Sequence, residues 1–435
     1  MVSKMGTQMT KVAVTPPMGW NSWDCYGASV NEEEIRGNAE YMATHLKQFG
    51  WEYIVVDIQW YEPGAYSHEY RSFTELEMDE YSRLMPAVNR FPSAEGGKGF
   101  KPLSDYVHDL GLKFGIHIMR GIPRQAVHRN TPILGTTATA RQIAHPNSIC
   151  PWNTDMYGVD CTKEGAQQYY NSLFELYAKW GVDFVKVDDI AASRLYGIHD
   201  KEIEMIRKAI NHCGRPMVLS LSPGPAPREE AELLTANANM WRMTDDFWDS
   251  WRLLADMFER CEKWEGISGE GNWPDCDMLP LGNIRVRTHS DHEPKWSQFT
   301  QDEQVTMMTL WSIFRSPLFF GGELRNNDEW TLKLITNPEV IRVTTHSRQN
   351  KQVYRTDSQA IWTARDEDGS IYVAMFNLSE QKEQVKVSFS ELGLVEDANY
   401  AVRDLWLRED VGTKSEVLQV ELAAHGAGFF KLASQ

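Results

Sequence analysis

Two short segments carry the residues most capable of chemistry. EYIVVDIQW (52–60) closes an apolar run on Asp57, followed at once by Ile58, and DFVKVDDI (183–190) contains Lys186 and Asp188 two positions apart. Side chains alternate between the faces of a strand, so Lys186 and Asp188 share one face. An ammonium beside a carboxylate favours its ionised form. Such a carboxylate can attack an electrophilic carbon, and a second acid must then move protons. WRMTDDF (241–247) offers Asp245 and Asp246 for that step, with Arg242 to orient hydroxyls or carboxylates. Together these are the ingredients of double displacement at a glycosidic carbon: one carboxylate forms a covalent ester while the other serves first as acid, then as base. The competing chemistry is a metal site drawn from Asp57, His117, Asp188 and Asp246. No HExxH spacing supports it, and Lys186 on the same face would repel a cation, so no metal is expected. HSDH (289–292) reads as loop polarity.

The elements that must position these groups follow a repeating grammar. EEEIRGNAEYMATHLKQFG leads into YIVVD, LSDYVHDLG into KFGIHI, AQQYYNSLFELYAKWG into DFVKVD, and EIEMIRKAINHCG into MVLSLS. Helices alternating with short apolar strands imply a parallel α/β fold, either barrel or doubly wound sheet. The lack of an early GxGxxG turn favours the barrel, whose strand C-termini share one mouth. There Asp57, His117, Lys186, Asp188, Ser220, Ser222, Arg242 and Asp246 would converge. In the segment 166–180, Tyr170, Leu173, Phe174, Tyr177 and Trp180 recur at helical spacing and should seal a helix against the sheet. Near 340 the pattern changes to alternation with an Asp-Gly turn, the signature of an antiparallel β domain. The expected division is a catalytic barrel over 1–340 and a β domain over 341–435.

Composition narrows the partners. The 435 residues hold 44 Lys and Arg against 61 Asp and Glu, a net charge of -17, which disfavours a broad phosphate-binding surface and hence nucleic acid. No signal-like or membrane-spanning apolar segment is evident, so a cytoplasmic location and no membrane partner are expected. Six scattered cysteines without a CxxC pair fit reduced thiols. Asn377 opens an Asn-Leu-Ser sequon, irrelevant inside the cell. The expected partner is the terminal sugar of a small glycoside or oligosaccharide, and homo-oligomerisation is compatible with the sequence.

Ordered blocks along the whole chain carry a resemblance. TPPMGWNSWDCYG (15–27), EYIVVDIQW, RFPSAEGGKGFKPLSDYVHDLGLKFGIH (90–117), WGVDFVKVDD (180–189), WRMTDDF, PDCDMLPLGN (274–283) and RSPLFFGGELRN (315–326) are similar to glycoside hydrolase family 27, the melibiase-like enzymes. The resemblance implies a (β/α)8 TIM barrel followed by a C-terminal antiparallel β-sandwich, retaining hydrolysis of galactose-like glycosides and no required cofactor. It also implies Asp188 as nucleophile, Asp246 as acid/base, Trp20 as a wall of the sugar pocket, and Asp57, Lys186 and Arg242 as hydroxyl ligands. Asp277 would shape the far side. Two departures refine this reading. Galactosidases of the family have two consecutive carboxylates where this chain has Asp57-Ile58. Isoleucine cannot bond the sugar's exocyclic hydroxyl and crowds its CH2OH group, which favours β-L-arabinopyranose, a pentose lacking it. The leading expectation is therefore a retaining exo-β-L-arabinopyranosidase, with α-galactosidase as the alternative. Ser222, where many relatives have glutamate and tryptophan, keeps α-N-acetylgalactosaminidase as a minor alternative. A non-catalytic sugar-binding protein is the reading from a different class.

Overall fold

The computed structural model describes residues 11–287, 293–395 and 398–435; the HSDH segment at 289–292 lies outside them. Eight short strands form the central sheet: β1 (Met18–Asn21), β2 (Tyr53–Val56), β3 (Lys113–Met119), β4 (Phe184–Asp188), β5 (Val218–Leu221), β6 (Met240–Arg242), β7 (Trp273–Asp275) and β8 (Leu318–Phe320). All pair in parallel, in the order β7-β6-β5-β4-β3-β2-β1-β8. The circle closes where Leu279, just past β7, bridges Phe320; the Leu279 N–H donates to the Phe319 carbonyl at 2.7 Å. This is the expected α/β barrel.

The strands are apolar on both faces because one packs on helices and the other fills the barrel. Tyr53, Val55, Phe184, Val218, Met240 and Phe319 form the inner layer. Gly19 admits them: a Cβ there would lie 2.5 Å from the Tyr53 carbonyl oxygen. In β4 the buried Val185 and Val187 alternate with the half-buried Lys186 and Asp188, as the period-two pattern requires. The helix Ala166–Trp180 buries Tyr170, Leu173, Phe174, Tyr177 and Trp180, so the aromatic stripe is core. Gly181 ends that helix with φ of 83°. The segments after β2 and β3 are long; the second carries a small antiparallel sheet built from Ile122–Pro123, Ala144–Ile149 and Met156–Val159.

The helix Pro338–His346 runs across the anticipated 340/341 junction, and antiparallel pairing begins with Arg348–Arg355. Six strands pair antiparallel in the spatial order Arg348–Arg355, Gln359–Arg365, Ile371–Asn377, Ala427–Ser434, Tyr400–Asp404 and Glu409–Lys414. Glu383–Ser388 and Val417–Leu422 form a second, two-stranded sheet facing them. Alternation divides the six-stranded sheet's side chains cleanly. Ile361, Val373 and Met375 pack on Val385, Val387 and Leu418 inside the sandwich, while Trp362, Ala374 and Phe376 join the core of the barrel. The Asp368-Gly369 turn forms as expected, with Gly369 at φ of 87°. Asn377 is fully buried and its amide donates to the Gln381 and Ala423 carbonyls, which leaves the sequon no room for a glycan. The six cysteines are free thiols. Among the described residues no helix is long and apolar enough to cross a membrane.

Candidate active site

A cavity of about 240 Å³ opens at the C-terminal rim of the barrel, lined among others by Asp57, Ile58, Lys186, Asp188, Arg242, Asp246 and Asp277. Each comes from a strand end or the turn after it, so the sheet itself brings together residues up to 220 positions apart. Asp57 follows β2 and is held from three sides. Asn21 donates to its Oδ2 at 2.8 Å, the Lys186 ammonium lies 3.0 Å from the same oxygen, and the Ile58 N–H donates to Oδ1 at 2.9 Å. Burial pushes the Asp57 carboxyl up, but Lys186, then His117 and Asn21, outweigh it and hold the group below the usual carboxylate range.

Asp188 ends β4 on the cavity floor. His117 Nε2 sits 3.0 Å from its Oδ2, and the Asp189 N–H donates to its Oδ1 at 2.8 Å. Burial again raises the carboxyl; the contact with His117 and the nearby Lys186 reverse this and bring it to about 2. Asp188 is thus a carboxylate across the ordinary pH range. Asp246, on the loop after β6, has a 59% exposed side chain and stands at the mouth, where Arg242 donates to its Oδ1 at 3.1 Å. The Arg242 Nη1 lies 2.9 Å from Asp277 Oδ1, and Asp277 Oδ2 accepts the Phe247 N–H at 2.8 Å. Burial first, with Asp246 and Asp275 behind it, pushes the Asp277 carboxyl up against the pull of Arg242.

Three residues expected at the pocket do not line it. Trp20 is fully buried, its indole N–H donating to the Gly322 carbonyl at 2.7 Å. It faces the helix layer because Asn21, its neighbour in β1, faces the barrel interior; the wall is instead Trp23, at the rim after β1. His117 does not line the cavity but lies fully buried behind Asp188. Ser222 is also buried, its hydroxyl directed to the Val187 carbonyl at 3.4 Å, and Pro223 takes the lining position. Lining residues not foreseen include Asp24, Tyr70, Trp152, Trp248 and Met278. Trp23 stacks on Tyr70 with ring centroids 6.0 Å apart. Asp24 is 3% exposed, and its Oδ2 finds no hydrogen-bond partner among the described residues. Burial first, then the negative charge of Asp277, raises its carboxyl. Trp23 and Asp24 stood in the NSWDCYG block beside Trp20, whereas Tyr70 and Trp152 lie in loops whose path no periodicity reveals.

A closed parallel barrel with buried and rim carboxylates facing one pocket defines the protein as a barrel glycoside hydrolase in architecture. Comparison with known families agrees. The model described as alpha galactosidase A matches residues 15–160 and 153–346, and that of the alpha galactosidase C-terminal beta sandwich domain matches 356–432. The chain belongs to the melibiase family, glycoside hydrolase family 27. It is 66% identical to the family 27 β-L-arabinopyranosidase of Geobacillus stearothermophilus, with a TM-score of 0.95 covering 97% of both chains; a variant of that enzyme was crystallised with arabinose. It is 28% identical to an α-galactosidase of Cyamopsis tetragonoloba, over 96% of this chain and 86% of that protein. Alpha-galactosidase I of Mortierella vinacea, at 22% identity and a TM-score of 0.76 over 97% of both chains, shares the fold.

Proposed function

We propose that the protein is a retaining exo-β-L-arabinopyranosidase. The observation that carries this reading is Ile58, 1% exposed, presenting branched hydrocarbon to the cavity directly beside the Asp57 carboxylate. A hexose would need a polar partner for its exocyclic hydroxyl there, and losing one costs about 1–3 kcal/mol. A pentopyranose needs none. The likeness to the Geobacillus arabinopyranosidase supports the same choice.

In the mechanism we infer, Asp188 attacks the anomeric carbon as the glycosidic C–O bond breaks. Asp246, protonated at this stage, delivers its proton to the leaving oxygen. The resulting glycosyl ester is then opened: water attacks the same carbon, Asp246 takes its proton, and the ester bond breaks to release Asp188. Two inversions give net retention. The low-lying Asp188 carboxyl supports its role as the nucleophile, and the exposed Asp246 at the mouth, steadied by Arg242, is placed where aglycone and water arrive. Lys186, Asp57, Arg242 and Asp277 are proposed ligands of ring hydroxyls. We assign the protein to a reducing, cytoplasmic compartment, in keeping with its six free thiols.

The test compares kcat/KM for p-nitrophenyl β-L-arabinopyranoside and p-nitrophenyl α-D-galactopyranoside on one preparation. A clear arabinoside preference is expected. Equal or better galactoside turnover would make the protein an α-galactosidase, as its curated relatives are named. Binding of arabinosides without hydrolysis would make it a sugar-binding protein. Asp188→Ala should abolish turnover while leaving the fold intact.

A further inference from the structure

A buried charged pair lies directly behind Asp188, and no step above uses it. Asp189 is 1% exposed and has φ of 56°, the left-handed region that residues with a Cβ seldom adopt. From that backbone its peptide N–H donates to Asp188 Oδ1 at 2.8 Å. Arg120, at the end of β3 and 2% exposed, clamps the residue. Its Nε donates to the Asp189 carbonyl at 2.6 Å, and its Nη2 lies 3.0 Å from Asp189 Oδ2. The Arg120 peptide N–H donates to the Asp188 carbonyl at 3.0 Å, so one arginine grips both Asp188 and Asp189. The guanidinium is fixed on its far side. Nη1 reaches Glu202 Oε1 at 3.2 Å and Ser148 Oγ at 3.0 Å, and the Tyr170 hydroxyl donates to Glu202 Oε2.

Burying such a network is costly unless its members are mutually satisfied, and positive φ is disfavoured for a residue that carries a Cβ. Both costs fall at the residue that orders the Asp188 carboxylate. We propose that Asp189 and Arg120 are positioning residues for glycosyl-enzyme formation: the Arg120 clamp holds Asp189 in the left-handed conformation from which its N–H aims Asp188 Oδ1. His117 then fixes the other oxygen, and the carboxylate cannot rotate away from the anomeric carbon. This inference rests on Asp188 being the nucleophile.

The experiment measures kcat, KM and Tm for Asp189→Ala, Asp189→Gly and Asp189→Asn on whichever p-nitrophenyl glycoside the wild type hydrolyses. Asp189→Ala keeps the main-chain carbonyl bond but loses the carboxylate arm of the clamp and the tolerance of positive φ. Its kcat should fall by about tenfold or more, with KM within about threefold, because a small misplacement of the attacking atom slows chemistry more than binding. Asp189→Asn keeps an acceptor for Arg120 and tolerates the left-handed region, so it should stay within about threefold of the wild type. Asp189→Gly keeps the conformation without the carboxylate arm and should fall between them. Wild-type kcat in both Ala and Gly variants would overturn the proposal, as would an Asn variant as slow as Ala with all three folded. Should the Ala variant fail to fold, Asn and Gly decide: equal kcat overturns the clamp. A wild type that turns over neither glycoside would overturn this inference together with the functional reading, whereas an active wild type with indifferent variants overturns this inference alone.

Discussion

Ile58 and Asp57 divide one wall of the cavity into an apolar and a charged half, and this division sets the expected specificity. Ile58→Asp restores a second carboxylate where a hexose CH2OH would lie. It should lower the arabinoside-to-galactoside ratio of kcat/KM by about tenfold or more, the equivalent of one buried hydroxyl gaining a partner. An unmoved ratio would show that another residue sets the preference. His117 makes a second residue-scale prediction. Its contact with Asp188 Oδ2 is the foremost of the influences that overcome burial and hold the carboxyl at about 2. Removing it in His117→Ala leaves burial less opposed, so the Asp188 carboxyl rises. A nucleophile must be ionised, so the acid limb of kcat/KM against pH should move to higher pH and kcat should drop. A limb that stays put would assign it to a different group.

At the scale of elements, the joint between barrel and sandwich turns on Asp366, at the end of the strand Gln359–Arg365. Its fully buried carboxylate accepts from Arg342 on the helix Pro338–His346 at 2.9 Å, from Lys431 at 2.6 Å and from the Tyr372 hydroxyl at 2.6 Å. Burial raises this carboxyl, but those three bonds together hold it well below the usual range. The sign follows from linkage: a depressed folded-state value means stabilisation that is complete above the unfolded value of about 3.9 and is lost as pH falls through the folded one. Asp366→Ala should therefore cost on the order of 2 kcal/mol at neutral pH, moderated because Arg342 is partly exposed. Urea unfolding of wild type and variant should show that difference shrinking below about pH 4. A constant difference down to low pH would mean packing, not charge, joins the elements.

For the whole molecule, the barrel and sandwich share one core. Phe376 meets Phe258 of the helix Trp251–Lys263 with ring centroids 4.9 Å apart, and Trp362 meets Phe314 of the helix Gln301–Phe314 at 6.1 Å. Trp362 is fully buried on the barrel-facing side of its sheet. Trp362→Ala should destabilise by about 3–5 kcal/mol through lost burial and the cavity left behind. Heat unfolding followed by calorimetry should give a single transition coincident with loss of glycosidase activity, and the variant should lower both together. Two separate transitions would show that the β-sandwich stands alone.

Much of this architecture is local and therefore visible in the amino-acid order. Alternation in FVKVD put Lys186 and Asp188 on one face, the recurrence of strand and helix implied a parallel α/β fold, and the Asp-Gly turn marked a hairpin of the β domain; each depends only on period and turn chemistry. What the tertiary structure decided is which way each strand faces and where long loops travel. Trp20 turned to the helix layer and Trp23 to the cavity because the rotational setting of β1 is fixed by its neighbours Tyr53 and Phe319, not by its own four residues. Tyr70 and Trp152 reach the pocket from separate loops, and the Arg120 clamp joins β3 to the residue after β4, 69 positions on. Such contacts arise from packing among distant segments, so the sequence determined the chemistry on offer and the fold decided which groups meet.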